Sequence, residues 1–381
     1  MQTRSVRNAV VGAGAVGSAA AYHLALRGEP VLLVEQFTTG HDRGSSHGES
    51  RIIRHSYADD RYARLMPRAF QSWRDLEADA ATPLYVRTGG VSFCPPGNDY
   101  VGRVTASLQA VGVPHRRLDG RALHDAIPAF AVPADYDVVF EPDAGLLYAS
   151  RALALQVDLV RRSPGTEILE NTPVRGLDLG GDRPTMILDD VAICAERLII
   201  AAGPWVSTLL PELMESLRPT RQQVLYLQPS RPLPFSIGAF PVFICMGPNP
   251  DDAFYGLPGF LSGGLKVARH GGPETDVNRL DRGVEPESIE EIRQFLRGHV
   301  PSLAEAPILR SEICLYTMAA EENFLVGPYR GRPDVLLASP CSGHGFKFSN
   351  LVGRALADLA CDGSTDPDLA FWTPPTGRSG S

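Results

Sequence analysis

Residues 9–35 read AVVGAGAVGSAAAYHLALRGEPVLLVE, and the rest of the chain is organised around this stretch. A short apolar strand (Ala9, Val10, Val11) runs into Gly12-x-Gly14-x-x-Gly17. An alanine-rich helix follows and stops at Gly28, and a second apolar strand from Val31 ends on Glu35. Gly12 permits a tight turn, Gly14 lets backbone N–H groups approach a pyrophosphate, and Gly17 lets the helix lie close to the sheet. The helix N-terminus turns partial positive charge toward the phosphates. Glu35 stands where a carboxylate accepts hydrogen bonds from a ribose. A lone G-x-G-x-x-G also describes a plain glycine turn. Strand, helix, second strand and acid in this order select an adenine dinucleotide instead.

The composition narrows the function classes. At 381 residues the chain is long enough for a large core and two domains. A net charge of −8 argues against nucleic acid or an anionic membrane as the main partner, while leaving room for a local basic pocket. No run of about 20 apolar residues is present, so no membrane span is expected. MQTRSVRN leads straight into the first strand with no apolar leader, which points to the cytoplasm. The six cysteines (Cys94, Cys194, Cys245, Cys314, Cys341, Cys361) are scattered without a C-x-x-C. That fits a reducing compartment and gives no expectation of a metal site or a disulfide framework.

Downstream the elements interleave. A polar loop, TTGHDRGSSHGES, precedes the strand-like run Arg51-Ile52-Ile53-Arg54-His55, and residues 62–77 read as a helix. Residues 84–94 alternate around Gly89-Gly90 as strands. A helix is expected over 151–162, and strands over 197–202, 221–228 and 241–246. A surface helix over 286–300 carries Ile289, Ile292 and Leu296 on one face. The short strand 335–338 leads into a glycine turn with Gly343, His344 and Gly345, then a final helix over 349–361. This last strand, turn and helix would complete the nucleotide sheet from the far end of the chain, which favours FAD over NAD.

The expected architecture is therefore α/β. A discontinuous Rossmann-like FAD-binding domain (1–85, 142–215 and 320–381) is interleaved with a β-rich, α+β substrate domain (86–141 and 216–319), and 373–381 forms a loose tail.

The segments VVGAGAVGSAAAYHLA, SSHGESRIIRHSY, EPDAG, AAGPWV, YGLPG, LKVARH, CLYT and SGHGFKFS together resemble the sarcosine oxidase and N-methyltryptophan oxidase group of FAD-dependent amine oxidases, essentially end to end. LKVARHGG is closer to the N-methyltryptophan branch. The resemblance implies a monomer that oxidises a secondary-amine amino acid with oxygen, giving an imine and hydrogen peroxide. Sarcosine, an N-methyl amino acid or a cyclic imino acid would be the substrate. A dehydrogenase or an assembly subunit that passes electrons to a partner is the alternative, as is a nucleotide-binding module without redox chemistry.

The same resemblance implies site residues. Cys314 of CLYT would be the covalent flavin attachment point. Its plainer reading, a buried packing cysteine, suits Cys194 and Cys361 better. Arg54 and Lys347 would clamp the substrate carboxylate, as a guanidinium and an ammonium can, with a surface salt bridge as the rival for Arg54. Arg51 matches an arginine beside the flavin ring, with a phosphate contact as its rival, and His47 a histidine near the flavin. Lys266, flanked by Gly263 and Gly264, matches the lysine that promotes reaction with oxygen, because a fixed cation stabilises charge developing there. His270 and Tyr255 would line the substrate cavity, joined by Met246 and Tyr316, for which plain packing is an equal reading. The family motif S-H-H-G-D-T-R is here S-S-H-G-E-S-R. Finally, Gly44-Ser45-Ser46-His47-Gly48 satisfies G-x-S-x-G, but a polar loop before it and a strand after it are the wrong context for a nucleophile elbow.

Overall fold

The structure, a computed structural model, describes residues 2–249, 252–259 and 264–374. The tail expected over 373–381 lies outside the described residues from 375 onward. A first, eight-stranded sheet is parallel at its centre. Gln2–Val11 lies between Val191–Ile200 and Val31–Val34, with Val10 opposite both Ile199 and Leu33. Thr166–Leu169 extends one edge in parallel. Arg332–Ser339 joins Val191–Ile200 in parallel and Leu325–Tyr329 hangs antiparallel beyond it, so both ends of the chain build one sheet. The inner strands are apolar on both faces, as a sheet covered by helices on one side and loops on the other requires.

Three helices cover the sheet where the cavity opens. Ala15–Leu26, Ala149–Arg162 and Ser349–Asp362 pack together. Their small residues set the spacing: a Cβ on Gly353 would fall 2.5 Å from that of Ala19. The helix Asp60–Ala80 starts on the side chain of Asp59, which accepts from Arg61 N, and stops at Ala81, whose φ of 47° ends the helical run. It buries Trp73, whose Nε1 donates to the carbonyl of Lys347 at 2.7 Å and fixes the turn carrying that lysine.

The second sheet also has eight strands, ordered Ile308–Ala319, Leu217–Leu227, Leu265–His270, Ala253–Leu257, Val242–Met246, Gly90–Cys94, Asp137–Glu141 and Arg116–Asp119. Its back face carries Phe243, Cys245, Leu225, Leu265 and Val267 against Ile292, Phe295 and Leu296 of the helix Pro286–His299. That is the apolar stripe expected for this helix, with Phe295 added and Ile289 only partly buried. Ser50–Ile53, Tyr85–Arg87 and Gly145–Tyr148 form a three-stranded sheet. The strand expected through His55 ends at Ile53, because Arg54 turns into the cavity and the backbone N–H groups of His55 and Ser56 bond to Glu141. Cys194 and Cys361 are half-buried, which corrects the expectation of buried packing positions. Cys194 lies where the short strand Thr185–Ile187 flanks the sheet, and Cys361 in the last turn of its helix.

Candidate active site

A cavity of about 790 Å³ runs between the two large sheets, from the Gly12 turn past Arg51 and Cys314 to Lys347. At its nucleotide end Gly12 adopts φ +93° and its N–H bonds to Val34 O at 2.8 Å. A Cβ there would sit 2.4 Å from Ala201 O, and one on Gly17 would sit 1.8 Å from Gly12 O. The turn and the close approach of the helix therefore both require glycine. At Gly14 the nearest atom to a Cβ is Ser46 Oγ, which accepts from Ala15 N at 3.0 Å. Ser46 thus spends its hydroxyl bracing the loop, and no strand precedes it, so the G-x-S-x-G match is not an elbow. Gly14 at the N-cap has no side chain to cap the helix and Ser46 takes only Ala15 N, so the next first-turn N–H groups remain to meet an anion. Glu35 is buried and accepts from Ala13 N (2.8 Å) and Phe37 N (3.0 Å), with His41 Nε2 at 3.4 Å. A carboxylate held in this way keeps lone pairs for hydroxyl donors.

These features fit FAD on structural grounds: a turn that only glycine satisfies, a helix N-terminus with only its first N–H taken and a fixed carboxylate surround one end of a cavity whose other end is lined by cations.

The second sheet presents its site residues by register. Residues directly opposite across a ladder share a face, and so do residues two apart on a strand. Tyr226 lies opposite Lys266 and Arg310, Val224 opposite Ala268 and Glu312, Gln222 opposite Cys314, and Thr220 opposite Tyr316. Tyr255 faces Ala268, Ala253 faces His270 and Met246 faces Ala253. One face thus carries Met246, Tyr255, Lys266, His270, Glu312, Cys314 and Tyr316 together, and all seven line the cavity. The sequence reading selected six of them; Glu312 was missed.

At the centre, Arg51 donates to Ser50 O and Ser45 O (both 2.9 Å) and to His47 O (2.5 Å). Lys266 is 5% exposed, and its Nζ donates to Ser50 O at 3.1 Å. Burial, and then the nearby Arg51 charge, draw its ammonium down to about 7. Burial followed by Arg51 likewise lowers His47 to about 4, so its ring is neutral, with Nδ1 against Gly44 O at 3.0 Å. Cys314 is buried, its Sγ 3.7 Å from Ser45 O; burial raises its thiol, while Arg51 and Lys266 act in the opposite sense. Gly264, beside Lys266, is described; Gly263 lies outside the described residues.

At the far end Arg54 and Lys347 share the cavity wall. Arg54 stacks 4.5 Å from the Tyr57 ring centroid, and its buried Nε and Nη1 have no hydrogen-bond partner. Lys347 Nζ donates to Tyr57 OH at 3.0 Å and to His344 O at 3.3 Å. Burial, and then the Arg54 charge, hold its ammonium well below its ordinary value. His344 Nε2 donates to Glu322 O (3.0 Å), leaving Nδ1 to accept from Tyr57 OH (3.1 Å). Tyr255 and Tyr316 hydroxyls lie 3.5 Å apart, and His270 Nε2 is 3.3 Å from Glu322 Oε1. Gly343, at φ +76°, presses on this pair: a Cβ would fall 2.3 Å from His270 Cε1 and 2.6 Å from Tyr316 Cε2. A Cβ on Gly345 would fall 1.4 Å from Pro340 O.

Sequence reasoning also missed Tyr57 and Glu141. Glu141 is fully buried. It accepts from the backbone N–H of His55 (2.9 Å) and Ser56 (3.0 Å) and from His55 Nδ1 (2.6 Å), and so fixes the segment between Arg54 and Tyr57. The EPDAG motif that contains it was visible, but nothing local in it announces a partner 86 positions away.

A family model described as FAD dependent oxidoreductase matches residues 7–359. The chain is 33% identical over 371 residues to the monomeric sarcosine oxidase of Bacillus sp. (strain B-0618), covering 96% of this chain and 94% of that protein. It is 31% identical over 366 residues to the N-methyl-L-tryptophan oxidase of Salmonella arizonae, covering 94% and 96%. Among solved structures, NikD, an unusual amino acid oxidase essential for nikkomycin biosynthesis, shares the fold with a TM-score of 0.84 at 23% identity, covering 97% of this chain and 98% of that one.

Proposed function

Because this chain belongs to the FAD-dependent oxidoreductase family, in the group of the sarcosine and N-methyltryptophan oxidases, we propose that it oxidises the CH–NH bond of a secondary-amine amino acid. The substrate is sarcosine, another N-methyl amino acid or a cyclic imino acid, and the products are an imine and hydrogen peroxide. The observation that carries this reading is the pair of cations on one cavity wall, buried Lys347 and half-buried Arg54, with two buried guanidinium nitrogens of Arg54 unpartnered. Buried donors of this kind call for an acceptor, and a carboxylate satisfies both cations.

FAD would be held by the turn of Gly12, Gly14 and Gly17, by Glu35 at the ribose, by His47 and Arg51, and by the turn of Gly343, His344, Gly345 and Lys347, with Cys314 as a thioether attachment. Bound there, it supplies the two-electron acceptor for a hydride equivalent from the carbon next to nitrogen. Arg54 and Lys347 orient the substrate by its carboxylate. The substrate carboxylate opposes the burial and the Arg54 charge that hold the Lys347 ammonium below its ordinary value. Tyr255, Tyr316, His270 and Met246 bound the space around the amine and exclude water. The phenols of Tyr255 and Tyr316 stay protonated because burial raises both. Lys266 places positive charge where negative charge develops on oxygen.

The cysteines among the described residues are free, which supports a reducing, cytoplasmic setting, and no helix among those residues is long and apolar enough to cross a membrane. The test is a panel of N-methyl and cyclic amino acids with their descarboxy analogues, scored for peroxide release. Oxidation of the acids alone supports the reading; equal turnover of the descarboxy amines refutes the substrate class.

A further inference from the structure

The strand Ile308–Ala319 alternates Glu312, Cys314 and Tyr316 toward the cavity. The last two have roles in the reading above. Glu312 has none, and a carboxylate is an unusual neighbour for a flavin attachment point. Its Oε2 accepts from Tyr226 OH at 3.0 Å, and Tyr226 is the residue directly opposite Lys266 on the next strand. Lys266 Nζ lies 6.0 Å from the Tyr226 ring centroid. Glu312 Oε1 forms an ion pair with Arg310 Nε at 3.3 Å without an aligned hydrogen bond, so Arg310 shares its charge while Oε2 points to Tyr226. Oε2 also lies on the Arg51 side: a Cβ on Gly48 would meet Arg51 Nη1 at 3.2 Å and Glu312 Oε2 at 3.3 Å.

We propose that Glu312 is the counter-charge of Lys266, a positioning residue that keeps this buried lysine in its ammonium form for the oxygen step. The inference rests on the assignment of Lys266 to that step. The groups that face Lys266 can be named strand by strand. Ser50–Ile53 offers the Ser50 carbonyl and the cation Arg51. Leu217–Leu227 offers the neutral Tyr226. Ala253–Leu257 offers apolar Leu257 directly opposite and neutral Tyr255 two residues before it. Ile308–Ala319 offers the cation Arg310, the carboxylate Glu312 and Cys314. Burial and two cations oppose protonation, and Glu312 and Cys314 are the two groups that favour it. A thioether at Cys314 would carry no charge, which leaves Glu312 alone in that role. An opposite charge facing a buried ammonium raises its pKa.

The test uses flavin-loaded enzyme. The rate of flavin reoxidation is followed against pH after anaerobic reduction, and the pH-dependent change in the visible spectrum of the resting enzyme is followed separately, with Lys266→Met as the reference that lacks this titration. Glu312→Gln should move both midpoints about one pH unit toward acid, Glu312→Asp should recover part of the shift, and Arg310→Gln, which removes a competing cation, should move them the other way. Opposite shifts from the two neighbours are not produced by a merely structural disturbance. If Glu312→Gln loads poorly, the Arg310→Gln and Glu312→Asp shifts still decide the matter. Unchanged midpoints in the Glu312 variants, with reoxidation still lost in Lys266→Met, would overturn the role of Glu312 and leave the oxygen assignment standing. Wild-type reoxidation in Lys266→Met would overturn both.

Discussion

Lys347 Nζ donates to the hydroxyl of Tyr57 at 3.0 Å across 290 positions of sequence, and the ring of the same tyrosine stacks under the guanidinium of Arg54. One side chain therefore holds both arms of the proposed carboxylate clamp, its hydroxyl on the ammonium and its face on the guanidinium. Tyr57→Phe removes the first hold and keeps the second. A carboxylate inhibitor should bind at least about tenfold more weakly to it, as for one lost hydrogen bond to a charged group, about 1.5–3 kcal/mol. Arg54→Ala should cost more, about 2–5 kcal/mol, as for breaking a desolvated charge pair. Inhibitor titration of the flavin spectrum measures both. Equal losses in the two variants would show that the guanidinium does not dominate the clamp.

Covalent attachment makes a simple prediction. Acid precipitation of wild-type enzyme should leave yellow colour in the pellet, and Cys314→Ser should release it to the supernatant. Extractable flavin in the wild type would return Cys314 to a packing role.

Lys266→Met should slow reoxidation of reduced enzyme by about 10²–10³-fold, the usual effect of removing one well-placed electrostatic stabiliser. Anaerobic reduction by substrate should fall far less. Stopped-flow measurement of the two half-reactions separates them, and equal loss in both would assign the lysine to substrate binding.

Gly343→Ala should disturb the substrate end without touching the nucleotide end. The new methyl would collide with His270 and Tyr316, and the left-handed backbone adds its own strain. KM should rise and kcat fall, both measured per bound flavin, since Gly343 also belongs to the turn that would hold the cofactor. Unaltered kinetics would mean that the two rings are free to move aside.

His23 is buried, its Nε2 donating to Asn350 Oδ1 at 3.1 Å, and burial first, then Arg354, depresses its pKa to about 4. The depressed value means that the folded state disfavours the imidazolium. Stability contributed by the neutral ring is complete above the unfolded value near 6.5 and is lost as pH falls below it, levelling only near 4. Between pH 7 and 5 this one group should cost roughly 2 kcal/mol. His23→Gln keeps a donor for Asn350 but does not titrate, so urea unfolding at the two pH values should show a smaller difference in the variant. A variant as acid-sensitive as the wild type would place the sensitivity elsewhere.

The parts of the site legible in the sequence are those whose chemistry is local. Gly12, Gly14 and Gly17 announce a turn within six residues, and Cys314, Lys266 and Lys347 stand in short motifs of recognisable composition. The parts that stayed hidden depend on pairing between distant strands. Glu312 gains meaning only when Tyr226 is placed opposite Lys266, and Glu141 only when the three-stranded sheet brings His55 to it. Tyr57 sits in a quoted motif three residues after Arg54, yet its other cationic partner, Lys347, comes from the far end of the chain. Local composition also misjudged Cys194 and Cys361, since the exposure of a strand position beside a short flanking strand, or of a helix end, is not apparent without the tertiary neighbours.

The sheet that closes only when Arg332–Ser339 slides in beside Val191–Ile200 carries a consequence for how the protein is made. During synthesis the Gly12 turn emerges first but must wait for the strand and helix near the other end before its pocket has a far wall. At about 5–20 residues per second, that interval is tens of seconds in which apolar strand edges stand open on the ribosome. Flavin capture should therefore follow chain release. A nascent chain stalled before residue 332 would be a substrate for chaperones and proteases rather than an early holoenzyme.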